Sequence, residues 1–433
     1  MLGPRRVGKT VGMHQTIQAL IDAGVSPERL WFLRMDHPLL MDYQLDGWAS
    51  ALVQGYGGTA EDPLYLFLEE INYSPRWDRW LKTFYDERWP LRIVATSSST
   101  AALRDRTVES GIGRWSEQFL MPYSFVEYLG LRAFTGLKLD ASDDLFGTIR
   151  SVVAGPLPDR RLVDARTLYL LVGGFPELLL SGRADEPVEA AVIRSQQVLR
   201  SEAVQRVAGM DIPQVFDIKH PQVLERLVYI LAGQMCGLMN ISSLSSSLDI
   251  SRPTVLQYLS YLETAFLVFS LPNFSTSEES VQRQGRKVYF VDGAVRNAAL
   301  QRGLAPTRDP SEIGYLVENS AASHLFGLSL QTGMRLFHWR KDGREVDFIY
   351  DDISGPIAFE VTTSAKHTLD GFRALQKKYP QFIGRSFLVS SHERNPRMPG
   401  DDMHGIGRIS LEQFLLATGT QTDHALSRRM EMV

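Results

Sequence analysis

The residues best placed to do chemistry stand at the very start of the chain. Gly3-Pro4-Arg5-Arg6-Val7-Gly8-Lys9-Thr10 fits the spacing G-x-x-x-x-G-K-[ST]. Glycines at those positions let backbone N–H groups curl closely around phosphate oxygens. A lysine directly after the second glycine reaches the β- and γ-phosphates, and the hydroxyl beside it ligates Mg2+. The spacing predicts a helix over 9–23, whose N-terminal dipole adds positive potential. Gly3, Pro4, Arg5, Arg6, Val7, Gly8, Lys9 and Thr10 are therefore the candidate nucleotide-binding residues. A Gly-rich turn of no chemical consequence is the plain alternative.

Phosphate binding alone does not hydrolyse anything. Leu64-Tyr65-Leu66-Phe67-Leu68 is an apolar run ending in Glu69 and Glu70, the pattern of a strand buried on both faces. Glu69 would hold Mg2+ through water together with Thr10, and Glu70 would polarise the attacking water. The alternative is a core strand with a solvated acidic end. A further strand, 91–95, runs into Thr96-Ser97-Ser98-Ser99. Hydroxyls there, Ser97 foremost, could contact a γ-phosphate; otherwise they form a polar turn.

The elements that position these groups belong to a chain of 433 residues, about three domains at roughly 150 residues each. It is 44% hydrophobic and 22% charged with 34 Gly and 21 Pro, which sets aside disorder, collagen and coiled coil. Fifty acidic against 46 basic side chains leave a charge of −4, so nucleic acid is not advertised in bulk, although a local basic groove stays open. The single cysteine, Cys236, excludes a disulfide framework and Cys-rich zinc sites and fits a reducing cytoplasm. The apolar stretch 227–239 is interrupted by Gly233, Gln234 and Gly237, and falls short of the ~20 residues of a membrane span. No signal-peptide pattern follows Arg5, Arg6 and Lys9. The histidines are scattered, without a metal-binding pair.

From 134 to 158 the sequence turns polar and reads as loop. Gly173-Gly174-Phe175-Pro176 permits a tight turn with a fixed exit. Over 240–266, Ser242 to Leu248 predicts a short helix, Asp249-Ile250 a turn, and Ser251 the cap of a second helix with Pro253 in its first turn. A strand over 267–272 would follow as a wing. Arg252, Thr254, Gln257 and Ser260 are the predicted exposed positions of the second helix, and only one is a cation. A weakly basic reader binds phosphate weakly, so a winged helix packed on protein stands beside one that reads DNA.

Taken together, GPRRVGKT, LFLEEI, IVATSSS, Asn72-Tyr73-Ser74-Pro75-Arg76-Trp77, Gly113-Arg114, LMPYSFVEYL over 120–129 and the Tyr169 to Glu177 element resemble the AAA+-type prokaryotic ATPases of the archaeal-ATPase and STAND-like branch. The resemblance covers residues 1–415 and keeps the family's motif order. It implies ATP and Mg2+ as ligands, Arg114 as an arginine acting on the γ-phosphate (an ordinary surface ion pair being the alternative), and a homo-oligomer in which a neighbour supplies an arginine. Two departures stand out. Glu69 occupies the usual aspartate position, and only Met1 and Leu2 precede Gly3. The central strand that carries this family's P-loop is thus nearly missing, so a truncated N-terminus is expected, with robust turnover in question.

Beyond Arg286-Lys287, the segments 288–292, 314–319, 337–340, 343–349 and 357–362 resemble the C-terminal domain of uncharacterised function of the same ATPases, itself similar to restriction-endonuclease-like folds. That likeness would make Glu318, Asp347 and Glu360 the acidic positions. Thr362 fills the lysine position, and Lys366 is roughly 13 Å further along a strand, so nuclease activity is not expected. The carboxylates either bind metal or are inherited polar groups.

The expected fold class is α/β. A P-loop NTPase parallel-sheet domain over 1–135 precedes a helical lid and linker over 136–215. A winged-helix-like region over 216–275 and a C-terminal α/β nuclease-like domain over 276–420 follow. The expected function is ATP binding with Mg-dependent ATPase activity. The alternative is an ATP-gated DNA- or protein-binding module with little or no hydrolysis. DNA through the winged helix is a candidate partner beside protein, and no membrane is involved.

Overall fold

The computed structural model describes every residue except 42, 98–113, 133, 135–138, 181–185, 219, 365, 402–404 and 432–433. Ser98, Ser99 and Gly113 therefore lie outside the described residues. The chain divides into two compact units. The first gathers Met1–Met121, Gln205–Leu224 and Gln257–Leu267, and the second the remaining segments.

In the first unit, β1 (Leu30–Arg34), β2 (Leu64–Glu69) and β3 (Leu91–Ala95) form a parallel sheet in that order. Leu64, Leu66, Phe67 and Leu68 are buried, because a central parallel strand is covered on both faces. Helix α1 (Lys9–Asp22) begins at the loop's lysine, as the spacing predicts, and α2 (Trp77–Asp86) leads towards β3. On β3's other side lie Met1 and Leu2. The Met1 ammonium donates to Ala95 O at 2.7 Å, and Leu2 bridges Phe119 in parallel, exchanging backbone bonds with Gln118 and Leu120. Beside β3 a cavity of about 1030 Å3 is lined in part by Met1, Leu2 and residues 114–118.

The second unit corrects one expectation. Residues 134–158 are not all loop, for Leu145–Ala154 is a helix whose N-cap, Asp144, accepts from Gly147 N at 2.7 Å. The aspartates that read as loop punctuation include a helix cap, and Leu145, Ile149 and Val152 fill the buried face behind it. The Gly-Gly turn has a steric cause. Gly173 adopts φ 74°, and a Cβ on Gly174 would stand 2.1 Å from Tyr123 O. Tyr123 N donates to Gly174 O, and Gly174 N donates to Asp292 at 2.7 Å. Three sequence motifs far apart in the chain meet there.

Helix α3 (Ile241–Leu248) is capped by Asn240 and ends at Asp249, which has φ 57°. Helix α4 (Arg252–Thr264) follows, with Ser251 accepting from Thr254 N at its start. The expected strand exists as β4 (Val268–Leu271), and its antiparallel partner is β5 (Lys287–Phe290).

Helix α5 (Pro310–Thr332) then precedes β6 (Leu336–Lys341), β7 (Arg344–Tyr350) and β8 (Ile357–Thr362). Helix α6 (Asp370–Lys378), β9 (Ser386–Ser390), β10 (Ile406–Ser410) and α7 (Leu411–Glu431) complete the unit. The sheet order is β10-β9-β8-β7-β6, parallel from β10 to β8 and antiparallel thereafter. Phe372 and Leu375 of α6 join Trp339, Val346, Ile349 and Ala358 in one core. Phe414 of α7 packs on Phe359, which alternation places on the opposite face from Ala358. Among the described residues no helix is long and apolar enough to cross a membrane.

Candidate nucleotide site

The loop 3–10 takes the backbone its glycines allow. Gly8 has φ 91°, Arg6 φ 69° and Gly3 φ 155°, and a Cβ on Gly3 would stand 1.9 Å from Leu120 O. Lys9 is buried, and its ammonium donates to Gly3 O at 2.9 Å and Pro4 O at 2.8 Å. Burial brings its pKa down to about 8, opposed by the charge of Glu70. The lysine thus bridges its own loop, its charge held by carbonyl oxygens.

Thr10 Oγ1 donates to Glu69 Oε1, and Arg34 Nε lies 3.7 Å from the other oxygen. One step on, Glu70 leaves the strand at φ 54°, so adjacent carboxylates take different directions. Lys9, Thr10, Glu69 and Glu70 are therefore brought to one end of the sheet, as the spacing predicted. A hydroxyl and a carboxylate in contact are a suitable oxygen pair for Mg2+, a hard cation that keeps most of its waters.

Ser97 follows β3 at the same end, is buried, and donates to Asn72 Oδ1. Arg114 is a correction. It donates to Asp86 at 2.9 Å, at the end of α2 where β3 begins. Parallel strands put the loop at their C-terminal ends, so Arg114 stands at the opposite end from the phosphate cradle. The ion-pair alternative describes it.

One partner was not visible in the sequence. Arg5 Nη1 lies 3.1 Å from Asp211 Oδ2, with both side chains 12% exposed. Asp211 ends a π-helical turn, Val207–Asp211. Burial raises its pKa against the pull of Arg5, with Arg206 and Glu70 acting in turn. No local pattern marks an aspartate 206 positions away as a loop contact.

A second cluster sits in the C-terminal sheet. Glu318 on α5 and Asp347 on β7 meet around Lys287 Nζ of β5, at 3.1 and 3.2 Å, and Glu345 also contacts it. Burial would lower the lysine's pKa, but Asp347, Glu318 and Glu345 raise it well above the usual range. Tyr289 donates to Glu318 at 2.9 Å, and Val361 N donates to Asp347 at 2.9 Å. Glu360 on β8 instead pairs with His367 at 2.6 Å, and burial pushes its pKa up to about 7. Lys287, Glu345, Tyr289 and His367 escaped sequence reasoning, and a lysine opening the apolar strand Val288-Tyr289-Phe290 was the available signal. Lys366 is exposed. Among the described residues no group of three or more His, Cys, Asp or Glu side chains is arranged to hold a metal. An ammonium occupies the place where the carboxylates converge.

Comparison with known proteins matches three stretches of the chain. Residues 1–129 match the AAA domain family, 164–305 a domain of unknown function (DUF8612), and 313–411 another domain of unknown function (DUF4143). The N-terminal domain is thus AAA+ ATPase-like, whereas the C-terminal match carries no statement of a nuclease. An uncharacterized protein of Methanocaldococcus jannaschii is 24% identical over 387 residues, covering 87% of this chain and 78% of its own. An uncharacterized protein of Haemophilus influenzae is 23% identical over 397 residues, covering 88% and 87%. Among solved structures, the Aeropyrum pernix ORC1 protein in complex with DNA is 16% identical. It covers 71% of this chain and 87% of its own at a TM-score of 0.27, too distant to bear on fold or ligand.

Proposed function

We propose that the N-terminal domain binds ATP with Mg2+ at loop 3–10 and hydrolyses it. The observation that carries this reading is the contact of Thr10 with Glu69, beside Lys9 and next to Glu70. In this reading the loop's N–H groups and Lys9 hold the phosphates, the lysine exchanging the carbonyls of Gly3 and Pro4 for phosphate oxygens. Thr10 and Glu69 hold Mg2+, which when bound neutralises charge on the phosphates. Glu70 accepts a hydrogen bond from the attacking water, and Ser97, fixed by Asn72, lies at the edge of the site. Steady-state phosphate release tests the chemistry. Wild type should turn over ATP, and Glu70→Gln should lose at least about a hundredfold while still binding it. Equal rates in both proteins would remove Glu70 from the reaction.

The second reading is an ATP-gated module that binds DNA or protein through a winged-helix-like segment, α3 and α4 with β4 and β5, and turns over little. It is favoured by the closed lysine, already satisfied by its own loop. Leu256 on α4 is 55% exposed beside Arg252 and Gln257, a surface better suited to a protein partner than to phosphates. The same release assay separates the two readings. The layout of the C-terminal domain is read as nuclease-like without nuclease activity, since Lys287 neutralises the carboxylates a metal would need.

A further inference from the structure

Of the three cationic side chains on the phosphate loop, Arg5, Arg6 and Lys9, the first and last take different partners. Lys9 turns inward to carbonyl oxygens, whereas Arg5 reaches out to the carboxylate of Asp211. That carboxylate pairs with the loop proposed above to hold a polyphosphate. It is close enough that its charge bears on Lys9, and Glu70's charge bears on it. Asp211 comes from the π-helical turn Val207–Asp211, outside the sheet and loop that form the cradle. Turns of this kind recur where a helix must present a side chain to a site.

We propose that Asp211 is a phosphate-mimicking gate. It holds Arg5 in the nucleotide-free state and is displaced when a polyphosphate takes the arginine. The inference rests on the reading of loop 3–10 as a nucleotide site and adds its regulation. An incoming phosphate and Asp211 compete for the same guanidinium, because two anions cannot share it without mutual repulsion in a half-buried setting. Part of the binding energy of the phosphates is then spent releasing Asp211, so the ground-state affinity is held below what the loop alone provides. As Asp211 contacts no reacting atom, it is a positioning residue.

The test is equilibrium binding of a fluorescent ATP analogue, with AMP as competitor, to the full chain and its variants. Asp211→Asn, which keeps the shape and removes the charge, should tighten the ATP analogue by roughly five- to tenfold and leave AMP nearly unchanged. Asp211→Glu should return towards wild-type affinity. In an Arg5→Gln background, Asp211→Asn should have little further effect. A purely structural role would move ATP and AMP together and would not be rescued by glutamate. Binding that is unchanged or weaker in Asp211→Asn, with wild type still binding, overturns the gate and leaves the nucleotide site standing. Failure of wild type and Asp211→Asn alike to bind in a folded sample overturns both.

Discussion

Glu69 and Glu70 are identical in kind and adjacent, yet the backbone gives them different surroundings. Glu69 ends a strand and meets Thr10, while Glu70 has already turned into the left-handed region at φ 54°. Lys287 shows the same dependence on placement. A buried lysine is costly, and here three carboxylates offset that cost. Lys287→Met should therefore destabilise the second unit by about 3–5 kcal/mol near pH 8. The loss should shrink towards pH 5, as Glu318, already raised by burial and Asp347, takes up a proton. Urea unfolding at the two pH values checks this, and an equal loss at both would contradict it.

His324 gives the opposite sign. Its Nε2 accepts from Phe125 N at 2.9 Å, and Nδ1 faces Ser320 O at 2.8 Å, so only the neutral ring fits. Burial lowers its pKa to about 4. The stability it contributes is fully present above its ordinary value of 6.5 and is lost as pH falls through 4, by up to about 3 kcal/mol. The difference between wild type and His324→Gln, followed by unfolding from pH 7 to 4, isolates this effect from Glu360, which titrates in the opposite sense.

At the scale of elements, short-range patterns were legible and long-range partners were not. The strands β2 and β3, helix α1 and the pair α3 and α4 follow from continuous apolar runs, helical spacing, capping residues and glycine placement, all local properties. Asp211, Lys287 and the true place of Arg114 depend on which distant segments the fold brings together, and no spacing within a window encodes that. The helix Leu145–Ala154 was missed because an aspartate cap and a loop aspartate look alike until the buried face behind them is counted. Gly174 tests the account of the motif contact. Gly174→Ala places a methyl against Tyr123 O and should cost about 4 kcal/mol or more, seen as a large fall in the unfolding midpoint. Gly47→Ala, in the helix Leu45–Tyr56 with nothing within 4 Å of the added carbon, should instead gain up to about 1 kcal/mol.

The chain joins an AAA+ ATPase-like domain to stretches that match two domains of unknown function. Its overall charge of −4 says little about partners; the candidate site says more, because the glycine-rich loop, the Thr10–Glu69 oxygen pair and Glu70 gather at one end of a single parallel sheet. The most direct measurement is calorimetric titration of the full chain with ATP and Mg2+, wild type beside Lys9→Ala. Micromolar binding that requires Mg2+ and falls by at least about a hundredfold in the variant is the expected result. Equal affinity in the two proteins, or none in a folded wild type, would contradict the assignment of loop 3–10 as the nucleotide site.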